Sequence, residues 1–563
     1  MFSAHRNEGR RLSVTAVGLL LLGAVACGSP AVTAPRTPDL SAAAFEEAAA
    51  NGRLAHEGFL RSLNTVRAWL EYADPVTGLI PRNLQESRDV WNPQDAAADN
   101  YPFMVLTAAL TDPALFQGRM QDMLRSEEKH TSRLGRLPDT YSFSRQDFLV
   151  DEPVLDDIIF GASEYVKDGL LPVTEWLGAS PWSERMLDIL DELWARAPVE
   201  TPYGNIVSTN QEINGEMLQT LSRVYWMTGE AKYLDYALRL GDYYLLGSHH
   251  PTRNSDRIRL RDHGCEIVSG LTELYAAVHF ARPEKKQDYQ EPIHAMLDRI
   301  LEVGRNVDGL FYNEVNPRTG EPIQDGIADT FGYTFNGYYI VYRLDAIERY
   351  RDAVVQGLES LNENYRSYNW ENLGVDGYAD AIEGALNIYN REPLESVREW
   401  MDREIHVMWG MQDDHPGPRG ISWEDSAIIE GMHPDGNFMR TSLLYALWKT
   451  RGISVRPWRE DMTYGAVQRN DSLLIHVTVE QSWNGELVFD RPRHRTDMKL
   501  PYDWPRINQF PEWFAADPDA RYALVDVEAG TKEVHSGKTM QQGLRMRLEP
   551  GAHRFLVMEE GGE

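Results

Sequence analysis

The chain has 563 residues, 42% hydrophobic and 25% charged, with a formal net charge of −30. That length allows two to four domains with large cores. The acidity, spread without long runs of like charge, excludes sequence-independent nucleic-acid binding, which depends on Lys and Arg against phosphates.

In chain order, the first feature is an address. Arg6, Arg10 and Arg11 precede the apolar stretch "SVTAVGLLLLGAV", too short for a settled membrane span. It ends in "AVAC", small residues before Cys27, which resembles the lipobox of bacterial lipoproteins. The resemblance implies a signal peptide over 1–26, lipidation of Cys27 and a membrane-anchored, exported protein. Gly28 is not the aspartate that retains many such lipoproteins at the inner membrane, so the outer membrane or a periplasm-facing site is expected. A plain secretory peptide cleaved near Ala26 is the alternative. Residues 27–41 read as a Pro-rich tether. The only other cysteine, Cys265, has no internal disulfide partner and reads as a small buried hydrophobe or a thiol at a helix start. No CxxC pair is present, which excludes the usual structural zinc site.

From 42 to 455 the chain reads as paired helices. In "GEMLQTLSRVYWMTGEAKYLDYALRLGDYYL", Leu218, Leu221 and Tyr225 stripe one helix, Gly229 stops it, and Tyr233, Ala237 and Tyr244 stripe the next. The unit recurs about every 50–60 residues, the mark of repeated αα-hairpins. Turns inside a hairpin are short, whereas connections between hairpins are long, as in "SHHPTRNSDRIRLRD" and "GRNVDGLFYNEVNPRTGEPIQDGIAD". Long ordered loops tend to be functional. In a closed ring they would share one rim, and each helix that follows one would start there.

Those starts are alike: "DAAADNYPF", "DEPVLDDIIFGASEY", "NQEINGEM", "DHGCEIVSG", "ADTFGYTFNG", "DGYADAIEG" and "HPDGNFMR". Capping and helix-dipole complementation account for many of these Asp, Asn and Glu residues. They do not account for carboxylates one or two turns in, such as Asp99, Glu216 and Glu383. The organisation resembles the six-hairpin (α/α) toroids of glycosidases and polysaccharide lyases, and "TGEAKYLDYALRLGDYY" is similar to a hairpin of the unsaturated glucuronyl hydrolases. Seven starts allow six or seven hairpins. After 456, runs such as "SLLIHVTVEQSWNGELVFD" read as antiparallel strands. The expected fold is therefore mostly α and multidomain: an (α/α) toroid over 42–455, then a C-terminal antiparallel β-sandwich over 456–563. Within the latter, Tyr502, Trp504, Phe510, Trp513 and Phe514 read as packing against the toroid or, less readily, as a sugar-binding face.

The resemblance implies an exported glycoside hydrolase acting on an oligo- or polysaccharide. Such a reaction needs a proton donor and a second carboxylate. Asp262 and Asp380 are the expected pair, with Glu212 and Glu266 in reserve and His263 orienting a carboxylate; Glu424 and Asp425 are further carboxylates. Trp91, Tyr333 and Trp423 are candidate stacking platforms, and Asn210, Arg261, His433 and Arg440 candidate hydrogen-bond donors. No cofactor or metal is called for, although His249, His250 and His263 could be read as a metal set. Two alternatives remain open. A polysaccharide lyase would use Tyr333 or His263 as base, with Arg257, Arg259 and Arg261 neutralising a uronate. A glycan-binding lipoprotein would keep Trp91 and Trp423 without turnover.

Overall fold

The computed structural model describes residues 42–84, 88–414, 420–421 and 435–560. The signal sequence, Cys27 and the tether, together with Trp423, Glu424, Asp425 and His433, lie outside the described residues.

Fourteen helical stations form the toroid among the described residues. The first, α1 (Ala42–Glu71), lies outside the ring, and α2 (93–111) is the first inner helix. Then outer and inner alternate: α3 (113–131), α4 (155–177), α5 (Pro181–Ala195), α6 (Gln211–Thr228), α7 (231–246), α8 (Glu266–Ala281), α9 (Pro283–Val303), α10 (Phe331–Asp345), α11 (Glu348–Asn364), α12 (Val375–Tyr389), α13 (Glu395–Asp414) and α14 (Asn437–Lys449). Each even-numbered helix packs on the next even-numbered one, and α14 packs back on α2, so seven inner helices close a ring. The outer partner of α14 is α1, which means that the first and last helices of the toroid complete its seventh hairpin.

Inner-to-outer turns are short, from one residue at Asp112 to five at 390–394. Among the described connections, each outer-to-inner one is longer and ends at an inner-helix N-terminus, so these stand on one rim. Small two- and three-stranded sheets stiffen that rim: 132–134 with 137–138, 90–91 with 141–142 and 147–148, and 258–259 with 312–315 and 322–327.

The inner helices are apolar toward the outer ring and polar toward the axis. On α6 the polar stripe is Glu212, Glu216, Gln219 and Arg223, and on α12 it is Asp376, Asp380, Glu383 and Asn387, both at the spacing that keeps side chains on one helical face. An axis lined by charge must be paired to be stable, since an isolated buried charge costs several kcal/mol.

The C-terminal region helps to pair it. One sheet has five antiparallel strands, in the order 462–469, 472–479, 551–559, 521–526, 531–536; the other has three, in the order 544–548, 483–488, 454–456. The strands 472–479 and 551–559 of the larger sheet bury residues on both faces. Leu474 and Leu556 lie under Ala44 and Phe45 of α1, while the alternate residues Leu473, Ile475, Phe555 and Val557 join the main core.

The stretch 500–514 leaves the sheets and enters the toroid from the short-turn end. Trp504 is fully buried and donates from its indole nitrogen to Glu273 Oε2 at 2.9 Å. Arg506 reaches Glu175 Oε2 at 3.3 Å, beside the buried Arg223–Glu273 pair at 2.6 Å. Phe510 packs on Trp176. These aromatics serve as packing between the two regions.

Candidate active site

At the long-loop rim the inner-helix N-termini converge on a cavity of about 60 Å³. Asp99 and His263 also line a neighbouring cleft of about 520 Å³, walled by Val90, Thr140 and Leu149 at the sheet of 90–91, 141–142 and 147–148 and by the first turns of α4. Among the described residues, seven carboxylates line the deep cavity (Asp99, Asp168, Asp262, Glu266, Asp376, Asp380 and Asp435), against Lys167, Arg440 and His263. Its floor is Ile507 and Asn508 from the β region.

Local irregularities bring these groups in. Asn92 caps α2 by accepting from Ala96 N at 3.0 Å, and Pro93 takes the first turn. The first eight residues of α2 and residues 165–170 of α4 are wound wide, as π-turns, an arrangement frequent at functional sites. The second wide turn lets the consecutive residues Lys167 and Asp168 both face the cavity. Before α8 the chain makes a tight turn over Asp262–Cys265, with Asp262 at φ +47°, a left-handed conformation uncommon for a residue with a side chain. A Cβ on Gly264 there would come within 2.4 Å of the Arg259 side chain.

Asp380 is the best-held carboxylate. Its Oδ1 accepts from Arg440 at 2.6 Å and from the Tyr333 hydroxyl at 2.7 Å. The same hydroxyl touches Glu383, whose other oxygen accepts from the backbone N–H of Asn508 at 2.7 Å. Burial raises the pKa of Glu383 despite Arg440. Arg440 also donates to Asn508 Oδ1 at 2.9 Å, and Asn508 Nδ2 donates to Asp168 at 2.8 Å, so the β region supplies hydrogen bonds inside the site.

Several neighbouring carboxylates are raised in the same way. Burial, then the charges of Asp95, Asp435 and Asp168, raise Asp99 well above the usual range. Burial and Asp376 do the same to Asp435. Asp376, one turn before Asp380 on α12, is raised to about 6 by burial and then by Asp380, although Asn437 donates to it at 2.7 Å. Behind them Asp329 is raised to about 7 and Glu371 to about 11, burial leading in both.

Of the residues singled out from sequence, Asp262, His263, Glu266, Tyr333, Asp380 and Arg440 meet in this cavity. Asp262 is bound by Arg259 and faces His263 Nε2 at 3.6 Å. Glu266 is buried, paired with Lys167 and hydrogen-bonded by Gln219. Glu212 stands beside His263, 3.9 Å from Nδ1, but lines neither the cavity nor the cleft. Arg261 pairs with Glu371 at 3.1 Å.

Two expectations are corrected. Trp91 is 2% exposed, its strand paired to Tyr141–Ser142, so its ring is core and offers no face to a sugar. Asn210 is exposed, caps α6 by accepting from Glu212 N at 2.9 Å, and lines neither the cavity nor the cleft. Nor do the three histidines gather: His249 stacks on Tyr243, and the buried His250 bonds Pro292 O through Nε2 at 2.9 Å. Lys167, Asp168, Asp376, Asp435 and Asn508 are site residues that the sequence reading did not single out. For Asp376 and Asp435 the signal was present, since both stand in helix starts already noted.

No protein-family model matches the chain, and no curated protein does either. Among solved structures, the α-1,6-mannanase of Salegentibacter sp. HEL1_6 is similar at 10% identity and TM-score 0.40, covering 69% of this chain and 98% of that one. The unsaturated glucuronyl hydrolase of Bacillus sp. GL1 is similar at 14% identity and TM-score 0.38, covering 58% and 94%. The cellobiose 2-epimerase of Bacillus thermoamylovorans is similar at 12% identity and TM-score 0.36, covering 49% and 84%.

Proposed function

We propose that the chain is a glycoside hydrolase whose chemistry is carried by Asp376 and Asp380. The observation that supports this is the split between them. One carboxylate is held by an arginine and a phenol hydroxyl, while its neighbour on the same helical face keeps its proton to about pH 6. A carboxyl that keeps its proton, beside a second one faced by a guanidinium, is what a proton donor and its partner require. Asp380 thus stays in the pair expected from sequence, as the carboxylate that Arg440 and Tyr333 hold, and its partner is Asp376 in place of Asp262, whose carboxylate is engaged by Arg259. Glycan would enter through the wide cleft and present its scissile bond above Asn508.

The β-elimination alternative fits the surroundings less well. Burial, with Asp380 and Glu383, holds the Tyr333 phenol well above its ordinary range despite Arg440, so it is a poor base. A ring of carboxylates also repels the uronate that such a lyase must bind.

The test is turnover on a panel of neutral and uronate glycans, following reducing ends and the ultraviolet absorbance of an unsaturated product. Wild type should release reducing ends from a neutral glycan without unsaturation. Asp380→Asn should lower that rate by about a thousandfold, roughly 4 kcal/mol of barrier, with the fold intact. An unsaturated product, or an unimpaired variant, would reject the assignment.

Export completes the proposal. With a lipid on Cys27 the enzyme would act at a membrane surface, and Cys27→Ser should move it from the membrane fraction to the soluble one. Equal partitioning of the two forms would refute the anchor.

A further inference from the structure

Beside the deep cavity, which of the four only His263 lines, four side chains each offer one ligand atom, all within 4.8 Å of one another: Glu164 of α4, Glu212 and Glu216 of α6, and His263 of the turn before α8. We infer that they form a binding site for a divalent cation, with manganese or zinc matching the donor set better than calcium. This goes beyond the proposed hydrolysis and does not depend on it.

A group of carboxylates alone would not carry the inference. Glu216 does. Its side chain is fully buried, and among the described residues neither carboxylate oxygen has a hydrogen-bond donor. A buried carboxylate with no partner is strongly unfavourable, and its nearest polar neighbours here include two more carboxylates. His263 Nδ1 stands 3.9 Å from Glu212 and 4.0 Å from Glu216, too far to hydrogen-bond either. Two donors on one ion at about 2.1 Å stand no more than about 4.2 Å apart, so these separations suit a shared ion.

The rest of the geometry agrees. Glu212 and Glu216 are one helical turn apart and share a face. The far nitrogen of His263 faces Asp262 at 3.6 Å, and Arg259 holds Asp262 in turn. A carboxylate behind the second ring nitrogen is the usual way a ligating imidazole is oriented. The strained turn at Asp262 therefore has a use, which is to aim His263. Glu164 and His263 both line the wide cleft, so the ion has a path from solvent. Three carboxylates suit a hard cation, and the imidazole shifts the preference from calcium to the first transition row.

The test is calorimetric titration of the purified, chelator-treated protein with Mn2+, Zn2+ and Ca2+, beside elemental analysis after equilibrium dialysis. One equivalent of Mn2+ or Zn2+ should bind and raise the melting temperature. Glu216→Gln and the double variant Glu212→Gln/His263→Gln should each weaken binding at least tenfold. Each should melt as a folded protein without metal. Asp380→Asn should bind as wild type does, which separates this site from the proposed reaction. The inference is overturned if wild type binds no stoichiometric ion, if both cluster variants bind unchanged, or if Ca2+ is preferred. Loss of binding in Asp380→Asn would equally overturn it, because the ion would then belong to the deep cavity.

Discussion

Asp376 and Asp380 stand one turn apart on α12 and differ in what surrounds them. A general acid works only while protonated. With its pKa raised to about 6 by burial and then by Asp380, the working fraction of Asp376 falls tenfold for each pH unit above that value. The rate should decline on the alkaline side of about pH 6, and Asp376→Asn should be slow with that limb missing. A wild-type profile flat through this range would remove Asp376 from the mechanism. The stability sign follows from the same shift. The folded state holds a proton that the unfolded chain releases near 3.8, so stability falls as pH rises from there to about 6. Sequence made the helix starts legible because chemistry there exceeds what capping needs, as at Asp262–Glu266. It misread Trp91, since an aromatic before a helix start looks the same whether its ring faces the cleft or the core. Lys167 and Asp168 were hidden because a regular helix would not turn both to one side, and the wide turn does.

Two glycine pairs set the spacing of the inner helices. A Cβ on Gly332 of α10 would lie 2.3 Å from Gly384 Cα of α12, and one on Gly270 of α8 would lie 2.5 Å from Gly215 O of α6. These backbones touch, and the first contact places Tyr333 within reach of Asp380 and Glu383. Gly384→Ala should force α10 and α12 apart, cost about 1–3 kcal/mol by overpacking, and lower turnover by stretching the Tyr333–Asp380 hydrogen bond. Denaturant unfolding and a rate assay on the same sample check both. Wild-type values for the pair would mean that the contact is not limiting. The hairpins themselves were legible from period and from alternating connection lengths. The closure of the ring by α1 against α14 was not, because it joins elements separated by nearly the whole toroid, and no local pattern reports it.

The toroid and the β region belong to one compact unit. The change of texture near 456 showed in the sequence; the entry of 500–514 into the ring did not, because its aromatics suit a surface as well as a core. Once inside, Arg506 completes a buried network with Glu175, Arg223 and Glu273, and also holds Asp503 at 2.8 Å. Asn508 satisfies Glu383 and Asp168 from the same segment. Removing one partner from such a network leaves the remaining charge buried and uncompensated. Arg506→Met keeps the volume and deletes the cation, so it should destabilise the whole protein by about 3–5 kcal/mol. Because the charges it leaves behind stand on α4, α6 and α8, the loss should appear in the toroid and not only in the sheets. Calorimetry of the wild type should show one cooperative transition, and the variant should show one transition at lower temperature. Two transitions, with only the smaller one moving, would mean that the β region folds apart and merely rests on the ring. The polar axis would then need some other source of balance.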